Sequence, residues 1–63
     1  MVHMANQIAL NFSAYTREEA IQMVARHLKE FWEQRMRKQL HAYVAEGGSG
    51  LTDVVLEAEK RLK

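Results

Sequence analysis

The apolar residues of this 63-residue chain recur mostly at three- and four-residue intervals, which is the spacing of amphipathic α-helices. The chain has no Pro, and its three Gly all fall within residues 47–50, so the sequence contains one strong helix breaker. We therefore predict an all-α fold, a small bundle of three to four short helices. The pattern indicates a single domain over residues 1–63.

The first predicted helix starts at Met4. Met4, Ile8 and Phe12 are spaced four residues apart and are expected to line its inner face, with Ala5 and Ala9 beside them. A short polar linker then separates this helix from the next.

A capping box marks the start of the second helix. Glu19 follows Thr16 by three residues, so the Thr hydroxyl can accept the Glu19 amide while the Glu carboxylate accepts the Thr16 amide. The apolar stripe behind this cap keeps helical spacing and comprises Ala20, Ile21, Val24, Ala25, Leu28, Phe31 and Trp32. We expect this segment to be the core helix.

The same periodicity continues from Met36 to Val44. Residues 16–46 therefore fit either one helix of about 30 residues or two helices with a bend near Glu33, and periodicity does not choose between them. Gly47 is expected to end this region in a left-handed conformation. A last helix is predicted behind a Thr52 cap, with an apolar stripe of Leu51, Val55, Ala58 and Leu62.

Composition places the chain among globular proteins, since 48% of its residues are hydrophobic and 27% are charged. Nine Lys and Arg against eight Asp and Glu give a net charge of +1, so no overall field favours nucleic acid or membrane. No apolar run approaches the roughly 18 residues of a membrane span, and the N-terminus lacks a signal-peptide pattern. We expect a cytoplasmic protein with no membrane and no nucleic-acid partner.

So short a chain needs support beyond its own core, because a domain of about 60 residues buries only about 60% of its unfolded surface. Disulfides are excluded by the absence of Cys, and His3, His27 and His41 are too widely spread to form a metal-ligand set. Association with another chain remains as the source of added stability.

The segment from His27 to Leu40 suits such association. It holds the only Trp and closely spaced basic residues, a mixture enriched at protein interfaces because aromatic rings supply apolar area and Arg forks bind carboxylates. Neighbouring residues on a helix point about 100° apart, so we expect either Phe31 or Trp32 to face a partner. The predicted partner-binding residues are His27, Phe31, Trp32, Arg35, Met36 and Arg37.

Catalytic patterns are missing from the sequence. No Ser has a recognisable base and orienting acid, and the glycines at residues 47–50 follow a helix and lack the Lys of a phosphate-binding loop. We expect a chain that is not an enzyme and that holds no cofactor or metal.

Several short segments together indicate a family, and they are Met4-Ala5-Asn6-Gln7-Ile8-Ala9, His27-Leu28, Phe31-Trp32, Arg35-Met36-Arg37, Gly47-Gly48, Gly50-Leu51 and Glu57-Ala58. In these segments the sequence resembles the small delta subunit of cytoplasmic, NAD-dependent, molybdenum- or tungsten-containing formate dehydrogenases. These segments, in this order and spacing, are distributed over almost the whole chain. The family usually has an acidic residue and Pro after Phe-Trp, whereas this chain has Glu33 and Gln34.

The resemblance implies a non-catalytic accessory subunit in a hetero-oligomer. Its partner would be the large molybdopterin-bearing alpha subunit, with iron–sulfur clusters, FMN and the NAD site also in other subunits. The implied role is to help assemble or stabilise the holoenzyme.

Two other classes of function stay open at this point. A helical nucleic-acid binder would use Arg26, Lys29, Arg35, Arg37 and Lys38 against phosphates, although Glu30 and Glu33 interrupt that set. A self-associating structural bundle would form a folded homo-oligomer without any other protein.

Overall fold

Four helices follow one another in the computed structural model, which describes residues 1–62: α1 (Val2–Asn11), α2 (Arg17–Phe31), α3 (Gln34–Ala45) and α4 (Asp53–Lys60). The part of the chain that the structure describes contains no strand. The predicted all-α bundle is confirmed, with four helices rather than three.

The capping box predicted for α2 is present. The Glu19 amide donates to the Thr16 hydroxyl at 3.2 Å, and the Thr16 amide donates to the Glu19 carboxylate at 3.2 Å. Glu18 and Glu19 also place negative charge at the positive end of the helix dipole. The sequence therefore specifies where the longest helix begins.

Residues 16–46 form two helices, α2 and α3, and not one long helix. The apolar periodicity of this region was compatible with either arrangement. Trp32 and Glu33 are extended, with φ/ψ of −85°/138° and −66°/153°, so the chain leaves α2 at Phe31 and starts α3 at Gln34. No Pro is needed for this break. Gln34 occupies the first helical position, and the extended Glu33 before it already sets the change of direction.

Helix α3 ends in a Schellman motif. The Gly48 amide donates to the Tyr43 carbonyl at 2.9 Å and the Gly47 amide donates to the Val44 carbonyl at 3.0 Å. Gly47 has a φ of +122°, which only Gly adopts without strain, and this confirms the predicted helix end.

The core forms around α2, which packs most closely against α4 and also contacts α1. Its fully buried side chains include Ile21, Val24 and Leu28. From the other helices the core receives Ala5, Ile8, Ala9, Leu40, Val55 and Ala58, together with Trp32 from the α2–α3 connection. The predicted stripes of α2 and α4 thus supply most of the core.

The inner face of α1 differs from the prediction at one position. Met4 is 49% exposed, while Ala5, Ile8 and Ala9 are buried, so the expectation that Met4 lines the core is wrong. The small Ala side chains let α1 approach its neighbours closely, and the inner face is centred one residue later than the Met4–Ile8 spacing indicates.

The Asn6 side chain connects α1 to the loop that precedes α4. Its side-chain amide donates to the Gly50 carbonyl at 2.8 Å, and its side-chain oxygen accepts the Thr52 amide at 3.1 Å. This one side chain therefore fixes α1 against the loop that leads into α4.

Candidate interaction surface at the α2–α3 junction

The six residues predicted to bind a partner lie at or near the junction of α2 and α3, in different environments. Phe31 and Arg35 are exposed, Trp32 is buried, and His27, Met36 and Arg37 are half-buried. We call the accessible members, which are His27, Phe31, Arg35, Met36 and Arg37, the junction surface.

Phe31 is the most exposed large apolar side chain among those of the described chain, at 72% of its area. It is the last residue of α2, and its ring lies 4.9 Å from the His27 ring between centroids, at an interplanar angle of 35°. The His27 ring therefore packs on the exposed Phe31 ring, and the pair presents aromatic surface to solvent.

Trp32, the next residue, is only 7% exposed and belongs to the core. Its amide donates to the Leu28 carbonyl at 3.3 Å, and its extended backbone directs the side chain inward after α2 has ended. A direct contact of Trp32 with a partner stays a prediction. The geometry gives Trp32 a clear role in holding the Phe31 backbone in place.

Cations without ion-pair partners lie close to Phe31 in the sequence. Within residues 1–62, carboxylates pair with Arg17, Arg26, Lys60 and Arg61 at ion-pair distance. The remaining Lys and Arg side chains of this part of the chain, which have no such partner, are Lys29, Arg35, Arg37 and Lys38. Within residues 1–62, the Lys and Arg side chains without an ion-pair partner therefore all fall in a ten-residue stretch that spans the junction.

Arg35 lies in the first turn of α3, where no acidic residue is present. The positive end of the helix dipole disfavours a cation there, and Arg35 and Lys38 are three residues apart on the same helix, so they repel each other. Neither feature stabilises the isolated chain.

Charges elsewhere in the fold are satisfied internally. Arg61 donates to Glu18, with one of the two bonds at 2.9 Å, and hydrogen bonds from Arg61 and Gln22 lower the pKa of Glu18 from 4.5 to about 2. The Arg17 guanidinium lies 3.0 Å from Asp53 and lowers the pKa of that carboxyl group. The Arg17–Asp53 pair joins α2 to α4, and the Glu18–Arg61 pair joins α2 to the residue that follows α4, so both hold these two helices together.

A second accessible feature was not predicted from the sequence. A groove of about 590 Å³ runs along α1, and its apolar lining includes Leu10, Phe12 and Tyr15, with the Phe12 and Tyr15 rings 5.8 Å apart. One signal for it is present in the sequence, because Leu10 lies off the Met4–Ile8–Phe12 stripe, and in the structure Leu10 is exposed.

Residues 1–62 contain neither a cluster of metal-ligating side chains nor a helix that could span a membrane. No three His, Cys, Asp or Glu side chains in this range lie close enough to hold a metal ion. Likewise, none of the helices in this range combines the length and the apolar character that crossing a bilayer requires.

The fold and its surface define a class of protein: a small all-α protein that exposes Phe31 and carries cations without ion-pair partners in residues 29–38. Residues 1–58 match the family model of the NADH-dependent formate dehydrogenase delta subunit FdsD. The chain therefore belongs to the FdsD family, and the resemblance noted in the sequence is confirmed. The family consists of subunits of a formate dehydrogenase complex, so the chain is one component of a hetero-oligomer. No curated protein and no solved structure gives a significant match to the chain.

Proposed function

We propose that this chain is a non-catalytic accessory subunit of a cytoplasmic, NAD-dependent formate dehydrogenase, and that it binds the large alpha subunit through the junction surface. Binding would support assembly or stability of the holoenzyme. The observation that carries this proposal is the 72% exposure of Phe31 at the end of α2, in a chain whose next helix, α3, carries Arg35 and Arg37 without ion-pair partners in residues 1–62.

The energetics of Phe31 favour burial against a partner. Complete burial of a Phe side chain is worth about 1.5–3 kcal/mol, and this chain leaves most of that unused. Aromatic and Arg residues also dominate the binding energy of many interfaces. The junction surface therefore combines the two residue types that contribute most to protein–protein affinity.

The redox cofactors are assigned to other subunits. The chain has no Cys, so it offers none of the thiolates that hold iron–sulfur clusters. We place molybdopterin with molybdenum or tungsten in the alpha subunit, and the iron–sulfur clusters, FMN and NAD site in partner subunits.

The test is co-expression of the complex with a tagged alpha subunit and a Phe31→Ala variant of this chain. Loss of the ring removes about 2 kcal/mol of favourable apolar burial from the interface, so recovery of the variant with the alpha subunit should fall about thirtyfold under limiting conditions. If the chain supports assembly, the molybdenum or tungsten content and the formate-dependent reduction of NAD should fall with it.

Leu10→Ala is the matched control, because Leu10 is a large apolar residue that is also well exposed but lies on α1. Both variants should keep the circular dichroism and melting temperature of the unmodified chain. Equal recovery of the Phe31→Ala variant and the unmodified chain would contradict docking through the junction surface.

A further inference from the structure

Helix α3 is the least firmly anchored of the four helices. Of its twelve residues only Leu40 is buried, whereas α1 and α4 are shorter and bury three residues each, and α2 buries four. It packs mainly against α4 and makes little contact with α1 or α2. Few buried apolar side chains and limited packing are properties of segments that open before the rest of a protein unfolds.

The side of α4 that faces α3 carries an acidic residue in a core position. Glu59 lies four residues after Val55 and is only 4% exposed. A Glu side chain is rarely buried unless it has a partner, and here the His41 Nδ1 atom lies 2.8 Å from the Glu59 carboxyl group. Within residues 1–62 this is the one side-chain hydrogen bond that joins α3 to another helix. The other side-chain bond of α3, from the Tyr43 hydroxyl to the Ser49 carbonyl, reaches only the loop that follows.

Polar groups between α3 and α4 make the docked arrangement less favourable. The Arg37 Nε atom is buried and has no hydrogen-bond acceptor within residues 1–62. Arg37, His41 and Glu59 also line an open depression of about 360 Å³, so the two helices do not pack tightly along this edge. A buried carboxyl group and a buried N–H without an acceptor both oppose docking, because water would solvate each of them if α3 moved away.

Both ends of α3 adjoin segments that can serve as hinges. Trp32 and Glu33 are extended before it, and Gly47 and Gly48 follow it with φ of +122° and +61°. Hinge motions are absorbed by a few residues at the ends of elements, and these are often small. Beyond the second hinge, the Asn6 side chain holds the loop before α4 against α1, so α4 can keep its position while α3 moves.

We propose that α3 is a hinged segment that separates from α4 as a unit while α1, α2 and α4 stay packed, and that the Glu59–His41 hydrogen bond is the latch that holds it closed. The inference rests on the packing of the chain and is independent of the proposed function. It has a consequence for the junction surface, because His27 and Phe31 lie on α2 whereas the other three members lie on α3. Opening therefore changes the arrangement of the junction surface.

The experiment is native-state hydrogen exchange of the purified full chain, followed by NMR at fixed pH with urea kept below the unfolding transition. Amides in the middle of α3, such as those of Leu40 and His41, should exchange at least about tenfold faster than those of Val24 and Leu28 in α2, after correction for intrinsic rates. Equal protection of α3 and α2 would overturn the proposal, because the chain would then open only as a whole. Unprotected amides in α2 would overturn it as well, since no folded unit would remain when α3 opens.

A pair of matched variants identifies the latch. His41→Ala and Asn6→Ala each remove a polar side chain that bonds one element to another. His41→Ala breaks a contact that exists only while α3 is docked, so it should speed exchange in both α3 and α2 by about tenfold. Asn6→Ala breaks contacts that remain when α3 opens, so it should speed exchange in α2 and leave exchange in α3 unchanged.

Glu59→Met tests the same latch in the opposite direction and does not depend on whether His41→Ala folds. It replaces the buried carboxyl group by an apolar side chain of similar volume, so exchange in α3 should slow by about tenfold. Unchanged α3 exchange in Glu59→Met, or α3 exchange that Asn6→Ala speeds as much as α2 exchange, would contradict the proposal. None of these measurements involves a partner subunit, so failure of the proposed function would leave their outcome unaffected.

Discussion

At the scale of single residues, Phe31 and Trp32 have opposite environments although they are adjacent in sequence. Phe31 ends α2 and is exposed, whereas Trp32 leaves the helix and packs in the core. Both fit the same apolar stripe in the sequence, so the stripe alone does not tell which ring faces outward. Which ring faces outward is determined by the position at which α2 ends, because Phe31 is its last residue and Trp32 is already extended.

Trp32→Ala should destabilise the isolated chain by about 3–5 kcal/mol, the cost of removing a large aromatic side chain from a core. Urea unfolding followed by circular dichroism measures this change. Phe31→Ala should cost less than about 1 kcal/mol, because an exposed ring contributes little beyond its contact with His27. Equal destabilisation by the two substitutions would show that Phe31 also belongs to the core.

The sequence signals that correctly predicted helix ends are local ones. Thr16 with Glu19 and the Gly47 helix end depend on bonds between residues close in sequence, so spacing alone predicts them. The hydrogen bonds of the Asn6 side chain could not be predicted in the same way. Its amide bonds to backbone groups 44 and 46 residues away, and no local pattern marks such a contact.

At the scale of elements, the break between α2 and α3 is set by tertiary packing. Apolar periodicity is nearly continuous across it, because Trp32 and Leu40 both face the core while the backbone between them changes direction. A periodic pattern records which residues face inward, not whether the helix axis is continuous. For that reason the sequence could not determine whether residues 16–46 form one helix or two, and the structure was required to decide.

Gln34→Pro should stabilise the chain by about 0.4–1 kcal/mol, because Pro fits the first helical position and reduces the freedom of the unfolded chain. The preceding residue, Glu33, already has the extended conformation that Pro requires of its neighbour. Thermal unfolding measures the change. Lys38→Pro, inside α3, is the control and should destabilise by about 3 kcal/mol or more. Loss of stability in Gln34→Pro would mean that its amide or backbone geometry does not suit Pro.

Surface positions at the element scale were less predictable than core positions. The stripes of α2 and α4 predicted buried residues such as Ile21, Val24 and Val55. They could not show that carboxylates pair with Arg17 and Arg61 but not with the cations of α3, because ion pairs between helices depend on how the helices pack.

At the scale of the whole molecule, ion pairs from α2 to α4 make stability depend on pH. Folding lowers the pKa of Glu18 from 4.5 to about 2, through its hydrogen bonds from Arg61 and Gln22. A carboxyl group whose pKa is lowered by folding contributes stability above its unfolded pKa, and this contribution is lost as pH falls through the folded pKa. Acid should therefore weaken the fold between about pH 4.5 and about pH 2.

Glu18→Gln should flatten this dependence, since the substituted side chain cannot take up a proton. The measurement is the urea midpoint at a series of pH values through that window. Glu46→Gln is the control, because Glu46 makes no ion pair within residues 1–62. An unchanged pH dependence in Glu18→Gln would show that the pair with Arg61 contributes nothing to folding.

The Asn6 contact has a consequence for how the protein is made in the cell. The carbonyl of Gly50 and the amide of Thr52 emerge from the ribosome long after α1, so α1 can be locked into position only once residue 52 has been synthesised. Until then the apolar side of α1, including Ile8, has no complete docking site, and the nascent chain must be kept from aggregation during that interval.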